Sequence, residues 1–182
     1  MPLVLAVCGL PASGKGEFAA VARRLGLPVR SMGDMIREEV AARGLAGDPE
    51  VFGRVAQELR STHGDEVLAV RLSASIDAEE RPPLLVIDGL RGVAERRVFR
   101  ERWGSSFAVV AIHADRAVRY ARSQSRGRSE DGSLAQFEAR DAREAGWGVD
   151  VLMQEAEHAL VNRDPLSDFH ADSERLLVSL GA

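Results

Sequence analysis

The chain has 182 residues, 45% hydrophobic and 29% charged, with a net charge of −4. That length suits one α/β domain with a full core, and the acidic balance argues against general nucleic-acid binding, which needs a basic excess. The single cysteine, Cys8, excludes an intrachain disulfide and a cysteine metal site. The apolar start at residues 1–9 carries no basic leader and is too short to span a bilayer, so a cytoplasmic protein with no membrane contact is expected.

Leu3–Cys8 is a short continuous apolar run, the pattern of a central parallel strand buried on both faces. Gly16–Leu25 follows with Phe18, Ala19, Ala22 and Leu25 at helical spacing, closed by Gly26. Pro28–Met32 is a second short strand. Gly33 and Asp34 open a helix with Met35, Ile36, Val40 and Ala41 on one face, and Asp34 is the expected N-cap. A turn over Gly44–Pro49 leads to two helices, about Pro49–Thr62 and Asp65–Glu79, before Arg81-Pro82-Pro83 breaks the pattern.

Leu84–Asp88 is a third buried strand ending in a carboxylate, and Glu95–Trp103 is helical. Phe107–Ile112 is the fourth strand. An arginine-rich helix over Asp115–Ser125, a polar loop over Arg126–Ser133 and a helix over Leu134–Glu144 come next. Gly146-Trp147-Gly148 interrupts the chain, His158–Asn162 is a fifth strand, and Pro165–Leu180 is a closing amphipathic helix. Strands alternating with helices predict right-handed βαβ units and a parallel sheet, whose ligands bind at the carboxyl ends of the strands.

At the first of those ends stands Gly9-Leu10-Pro11-Ala12-Ser13-Gly14-Lys15-Gly16. Gly-x-x-x-x-Gly-Lys between a strand and a helix is a P-loop. Glycines let the backbone turn its amides inward, and the helix N-terminus adds positive partial charge. A nucleoside triphosphate, with ATP first among them, is the ligand this predicts, with Lys15 bridging its β- and γ-phosphates. The basic residues are 23 arginines and one lysine, and that lysine is Lys15. A randomly placed lysine would fall there about once in 182 trials. A compact ammonium also enters a phosphate cradle where a planar guanidinium is too bulky.

The motif departs from the usual form at Gly16, where a Mg²⁺-binding hydroxyl is customary, and Glu17 follows. Two readings of Glu17 stand: a water-mediated Mg²⁺ contact shared with Asp88, or a first-turn carboxylate set against the helix dipole.

The chain here resembles the nucleoside monophosphate kinases of the adenylate kinase type, which also have glycine after the loop lysine, with threonine next where this chain has Glu17. Ser31-Met32-Gly33-Asp34-Met35-Ile36-Arg37 is similar to that family's Ser-Thr-Gly-Asp-Met-Leu-Arg, and Ile87-Asp88-Gly89-Leu90-Arg91 to its Leu-Asp-Gly-Phe-Pro-Arg, with the proline missing. The resemblance implies that Gly33, Asp34, Arg37 and Arg91 bind a small-molecule nucleotide acceptor through its phosphate. It also implies that Asn162 positions a loop beside the adenine. The stretch from Arg119 to Arg143 looks like a short lid, with Arg122, Arg126, Arg128, Arg140 and Arg143 as candidates to close over the phosphates. Arg140 and Arg143, three apart, can share a helix face. Nearly the full length resembles an uncharacterised archaeal family of predicted nucleotide kinases, described as adenylate-kinase-like or dephospho-coenzyme A kinase-like.

The expectation is one P-loop NTPase domain over residues 1–182: a five-stranded parallel sheet flanked by helices. An acceptor-binding helical segment lies near 33–80 and a lid near 119–145. Lys15, Asp88 and the lid arginines are the expected catalytic set. Asp88 organises Mg²⁺ or orients the attacking oxygen. The four histidines show no metal-ligand spacing. Trp147 stacks on a base or anchors the lid hinge to the core. The leading expectation is transfer of the ATP γ-phosphoryl to a nucleoside monophosphate, and a dephospho-coenzyme A kinase-like enzyme, an ATP-driven switch and a nucleotide binder without catalysis are the rival readings.

Overall fold

A computed structural model describes residues 3–47, 49–79, 82–126 and 133–182. Five parallel strands, β1 (Leu3–Cys8), β2 (Val29–Ser31), β3 (Leu84–Asp88), β4 (Phe107–His113) and β5 (His158–Val161), lie in the order β2-β3-β1-β4-β5. The apolar run of β1 places it at the centre, between β3 and β4. Its side chains alternate between two cores, as the strand period requires. Val4, Ala6 and Cys8 enter one, and Leu5 and Val7 the other.

The smaller core is closed by α1 (Lys15–Arg24) and α9 (Leu166–Ser179), through Phe18, Val21, Ala22, Phe169 and Leu177. The larger is closed by α2 (Met32–Ala42), α3 (Pro49–His63), α4 (Val67–Ala78), α5 (Val93–Trp103) and α8 (Val149–Gln154). Phe99 anchors it, stacked on Trp103 at 5.3 Å and tilted against Phe107 at 5.6 Å. Burying one such side chain fully contributes about 1.5–3 kcal/mol. The remaining helices, α6 (Arg116–Arg126) and α7 (Leu134–Gly146), lie side by side beyond β4. No helix among the described residues is long and apolar enough to cross a membrane.

Two expectations change. The second helix begins at Met32, ahead of Asp34, and Asp34 instead accepts the Ser31 N–H at 2.6 Å from inside the first turn. A first-turn carboxylate reaching back satisfies an otherwise orphaned amide. A short helix, α8, also fills what the sequence left unassigned after Gly148; Val149 and Leu152, three apart, bury its inner face.

Register positions the chemistry. Val7 pairs with Asp88, and Leu90 N donates to Val7 O at 2.9 Å. The carboxylate at the end of β3 therefore stands beside the last residues of β1, where the glycine-rich loop begins.

Candidate active site

The loop 9–14 joins β1 to α1. Ser13 N donates to Leu10 O at 3.2 Å, and Ala12 sits in the left-handed region at φ 61°. That conformation costs a non-glycine residue about 1–2 kcal/mol. Gly14 has φ 113°, and a Cβ there would lie 2.1 Å from Asn162 Nδ2. Both its conformation and its neighbour demand glycine. The first helical amides of α1, at Lys15, Gly16 and Glu17, have no partner one turn back and form an anion-receiving end.

Lys15 folds back onto its own loop, donating to Gly9 O at 2.6 Å and Leu10 O at 3.0 Å. Burial lowers its pKa to about 8, against the opposing pull of the Glu144 carboxylate. Cys8, one residue before the loop, is buried, and its thiol is pushed up to about 12 by that burial.

A cleft of about 680 Å³ opens over the loop. Its walls carry Lys15, Arg37, Arg60, Arg91, Arg122 and Arg140 against Glu17, Asp88, Glu95 and Glu144. The cleft thus gathers cations from two sets of elements, the loop with α6 and α7, and α2, α3 and the β3–α5 link.

The residues singled out from sequence divide as follows. Pro11 to Glu17 line the cleft, while Gly9 and Leu10 lie behind it as acceptors for Lys15. Gly33, Arg37, Asp88 and Arg91 line it too. Asp34 is not a wall residue; it pairs with Arg37. Arg122 and Arg140 face the cleft. Arg143 does not: its guanidinium lies 5.8 Å over the ring of Trp147, on the outer surface. The shared face expected for Arg140 and Arg143 is therefore not used. Trp147 is 45% exposed, which corrects its expected packing into the core. Arg128 lies outside the described residues, as does the side chain of Arg126.

Glu17 Oε2 lies 2.8 Å from His170 Nε2 and accepts its N–H, tying α1 to α9. Asn162, expected to position a loop beside the adenine, holds the phosphate loop: its Nδ2 donates to Ser13 O at 2.9 Å. Arg122 Nη2 donates to Asn162 Oδ1 at 3.2 Å. Sequence reasoning passed over Arg60, Glu95, Glu144 and Arg119. Glu95 accepts from Arg91 N at 2.9 Å and Gly92 N at 3.3 Å, and burial pushes its carboxyl up. Glu144 is 3% exposed and pairs with Arg140 at 3.5 Å. Only the spacing of Arg140 and Glu144, four apart on a helix, could have signalled that pair.

A Mg²⁺-bound triphosphate fits this arrangement. No group of three or more carboxylate, histidine or cysteine side chains among the described residues could cage a metal. Mg²⁺ commonly keeps its waters and takes one or two carboxylates plus phosphate oxygens. Asp88 faces the cleft, and nothing lies within 4 Å of where a Gly16 Cβ would stand, leaving open space in place of the customary hydroxyl.

Residues 8–136 match the AAA domain family. A UPF0200 protein of Methanosarcina barkeri is 39% identical over 175 residues, covering 96% of this chain and 94% of its own. Among solved structures, TT1252 from Thermus thermophilus superposes with a TM-score of 0.63 at 19% identity, covering 100% of this chain and 99% of that one. A gluconokinase from Sinorhizobium meliloti reaches 0.60 at 18% identity, over 98% and 93%. These two likenesses bear on the fold alone, a parallel sheet flanked by helices.

Proposed function

This chain belongs to the UPF0200 family and carries an AAA domain of kinase-like P-loop fold, and from that premise we propose that it transfers the γ-phosphoryl group of ATP to a small phosphate-bearing acceptor, a nucleoside monophosphate first among them. The observation that carries the reading is a single cleft that gathers Lys15, Arg122 and Arg140 from the loop and α6–α7, and Arg37 and Arg91 from α2 and the β3–α5 link, with Asp88 in the same wall. An ATPase needs only the donor half.

In this reading the free amides of α1 and Lys15 hold the donor phosphates. Arg37 and Arg91 grip the acceptor phosphate from the opposite wall. Arg37 leaves or shares its ion pair with Asp34 to do so. The acceptor oxygen bonds to the γ-phosphorus as the bridging oxygen leaves with ADP, and Arg122 and Arg140 neutralise charge on the transferring group. Asp88 would hold Mg²⁺, which screens the phosphate charges when bound. The segment near 33–80 serves as the acceptor-binding part and that near 119–145 as a lid. The gluconokinase among the structural neighbours acts on a sugar acid by its name, so non-nucleotide acceptors belong in the test.

The test is ADP formation from Mg-ATP with and without each of a panel of nucleoside monophosphates, dephospho-coenzyme A and gluconate. Acceptor-dependent ADP with one monophosphate is the expected result. Acceptor-independent release would favour a switch. Lys15→Ala should abolish triphosphate binding, and unchanged turnover in that variant would refute the site.

A further inference from the structure

We propose that Arg119, paired with Asp141, is a positioning residue that locks the phosphate loop in its anion-receiving shape and fixes α7 to it. The inference rests on the triphosphate reading above. Arg119 is 3% exposed. Its Nη1 donates to Asp141 Oδ1 at 2.8 Å and to Pro11 O at 3.1 Å, and its Nη2 donates to Asp141 Oδ2 at 2.7 Å. The guanidinium also lies 5.3 Å over the ring of Phe137.

A buried ion pair is a poor means of holding two helices together, because desolvation cancels much of its attraction. Here the cost is higher still, since Arg119 Nε is buried without a partner. An apolar pair would join α6 to α7 as well. What an apolar pair lacks is a donor for the carbonyl of Pro11.

That carbonyl belongs to the Pro11–Ala12 peptide. A trans peptide is planar, so its N–H points opposite to its C=O. Holding Pro11 O toward α6 turns Ala12 N–H the other way. It also blocks the peptide rotation that would relieve the left-handed φ of 61° at Ala12. Asn162 does the same two peptides further on. It holds Ser13 O and so directs Gly14 N–H, and Arg122, three residues after Arg119 on α6, holds Asn162 in turn. One helix therefore fixes two alternate peptides of the loop. Through Asp141 the same guanidinium registers α7, which carries Arg140 to the cleft.

Inorganic tripolyphosphate, titrated calorimetrically into the whole protein, is the probe. Replacing both charges at once, Arg119→Met with Asp141→Leu, keeps the contact apolar and the melting temperature near wild type. That double variant should bind tripolyphosphate roughly ten-fold or more weakly, and its Ala12 amide should exchange with solvent faster. A folded double variant binding within about two-fold of wild type would overturn the clamp and leave the triphosphate reading standing. Should the double variant not fold, Arg119→Lys decides. One ammonium cannot span both Asp141 oxygens and Pro11 O, so weaker binding supports the clamp and equal binding overturns it. A wild-type protein that does not bind tripolyphosphate overturns the functional reading, and the clamp with it.

Discussion

Lys15 Nζ lies 2.6 Å from the carbonyl oxygen of Gly9, so the chain's one lysine is held by the loop that it is meant to serve. With Leu10 O as a second acceptor, two of its three donors are committed, and one is left for a phosphate. Burial depresses its pKa to about 8 from an ordinary 10.5. In the free protein the burial cost is present in full below about pH 8 and is relieved as pH rises toward 10.5. A bound triphosphate favours the ammonium and raises that value. Triphosphate affinity should therefore be level below about pH 8 and fall above it, by up to roughly tenfold per unit, with proton uptake on binding. Calorimetry in buffers of different ionisation enthalpy measures both. Affinity that stays flat from pH 7 to 9.5 would remove Lys15 from the phosphate site.

The two glycines flanking Lys15 should respond in opposite ways to a side chain. Gly14→Ala forces a left-handed φ on alanine and drives its Cβ into the Asn162 amide, so it should destabilise by about 2 kcal/mol or more and weaken triphosphate binding. Gly16→Ser meets open space and should leave stability within about 0.5 kcal/mol. Its hydroxyl stands where Mg²⁺ is usually ligated in this motif. The serine variant should therefore gain ATP affinity in Mg²⁺ relative to EDTA. Chemical denaturation and paired titrations decide both; equal stability of the two variants would contradict the loop geometry.

The sheet was legible because its strands are continuous apolar runs, and the run from Leu3 to Cys8 identifies the centre without help from the rest of the chain. The phosphate loop was legible because its chemistry is local, eight residues running from the end of a strand into the first turn of a helix. The six-residue helix after Gly148 was not, since two buried side chains set no period. The arginines were the hardest. Twenty-three of them look alike in sequence. What separates Arg119 from Arg143 is a carboxylate 22 residues later and a carbonyl 108 residues earlier, contacts that only the folded chain supplies. Similarly, the resemblance gives Asn162 a loop to position without saying which; its 2.9 Å bond to Ser13 O shows that it holds the phosphate loop.

Cys8 ends the central strand fully buried, with its thiol pushed up to about 12 by desolvation. Alkylation at pH 8 needs thiolate and access, and the native state offers neither. Modification by iodoacetamide should therefore track global unfolding, rising only across the denaturant transition. Fast labelling of the native protein would mean that the strand end opens locally, beside the loop.

Glu144 should set the pH range of the site. It is 3% exposed, it pairs with Arg140, and it is the strongest influence holding the Lys15 pKa up against burial. Glu144→Gln keeps the shape and removes the charge. Lys15 then loses its main electrostatic support, so the break in the affinity profile should move below pH 8. At pH 6.5, where Lys15 is still protonated, the same change removes a carboxylate that repels phosphate, so affinity should rise. Opposite effects on the two limbs of one profile distinguish this from simple damage, which would lower affinity at every pH. A break that stays near pH 8 in the variant would show that Glu144 does not act on Lys15.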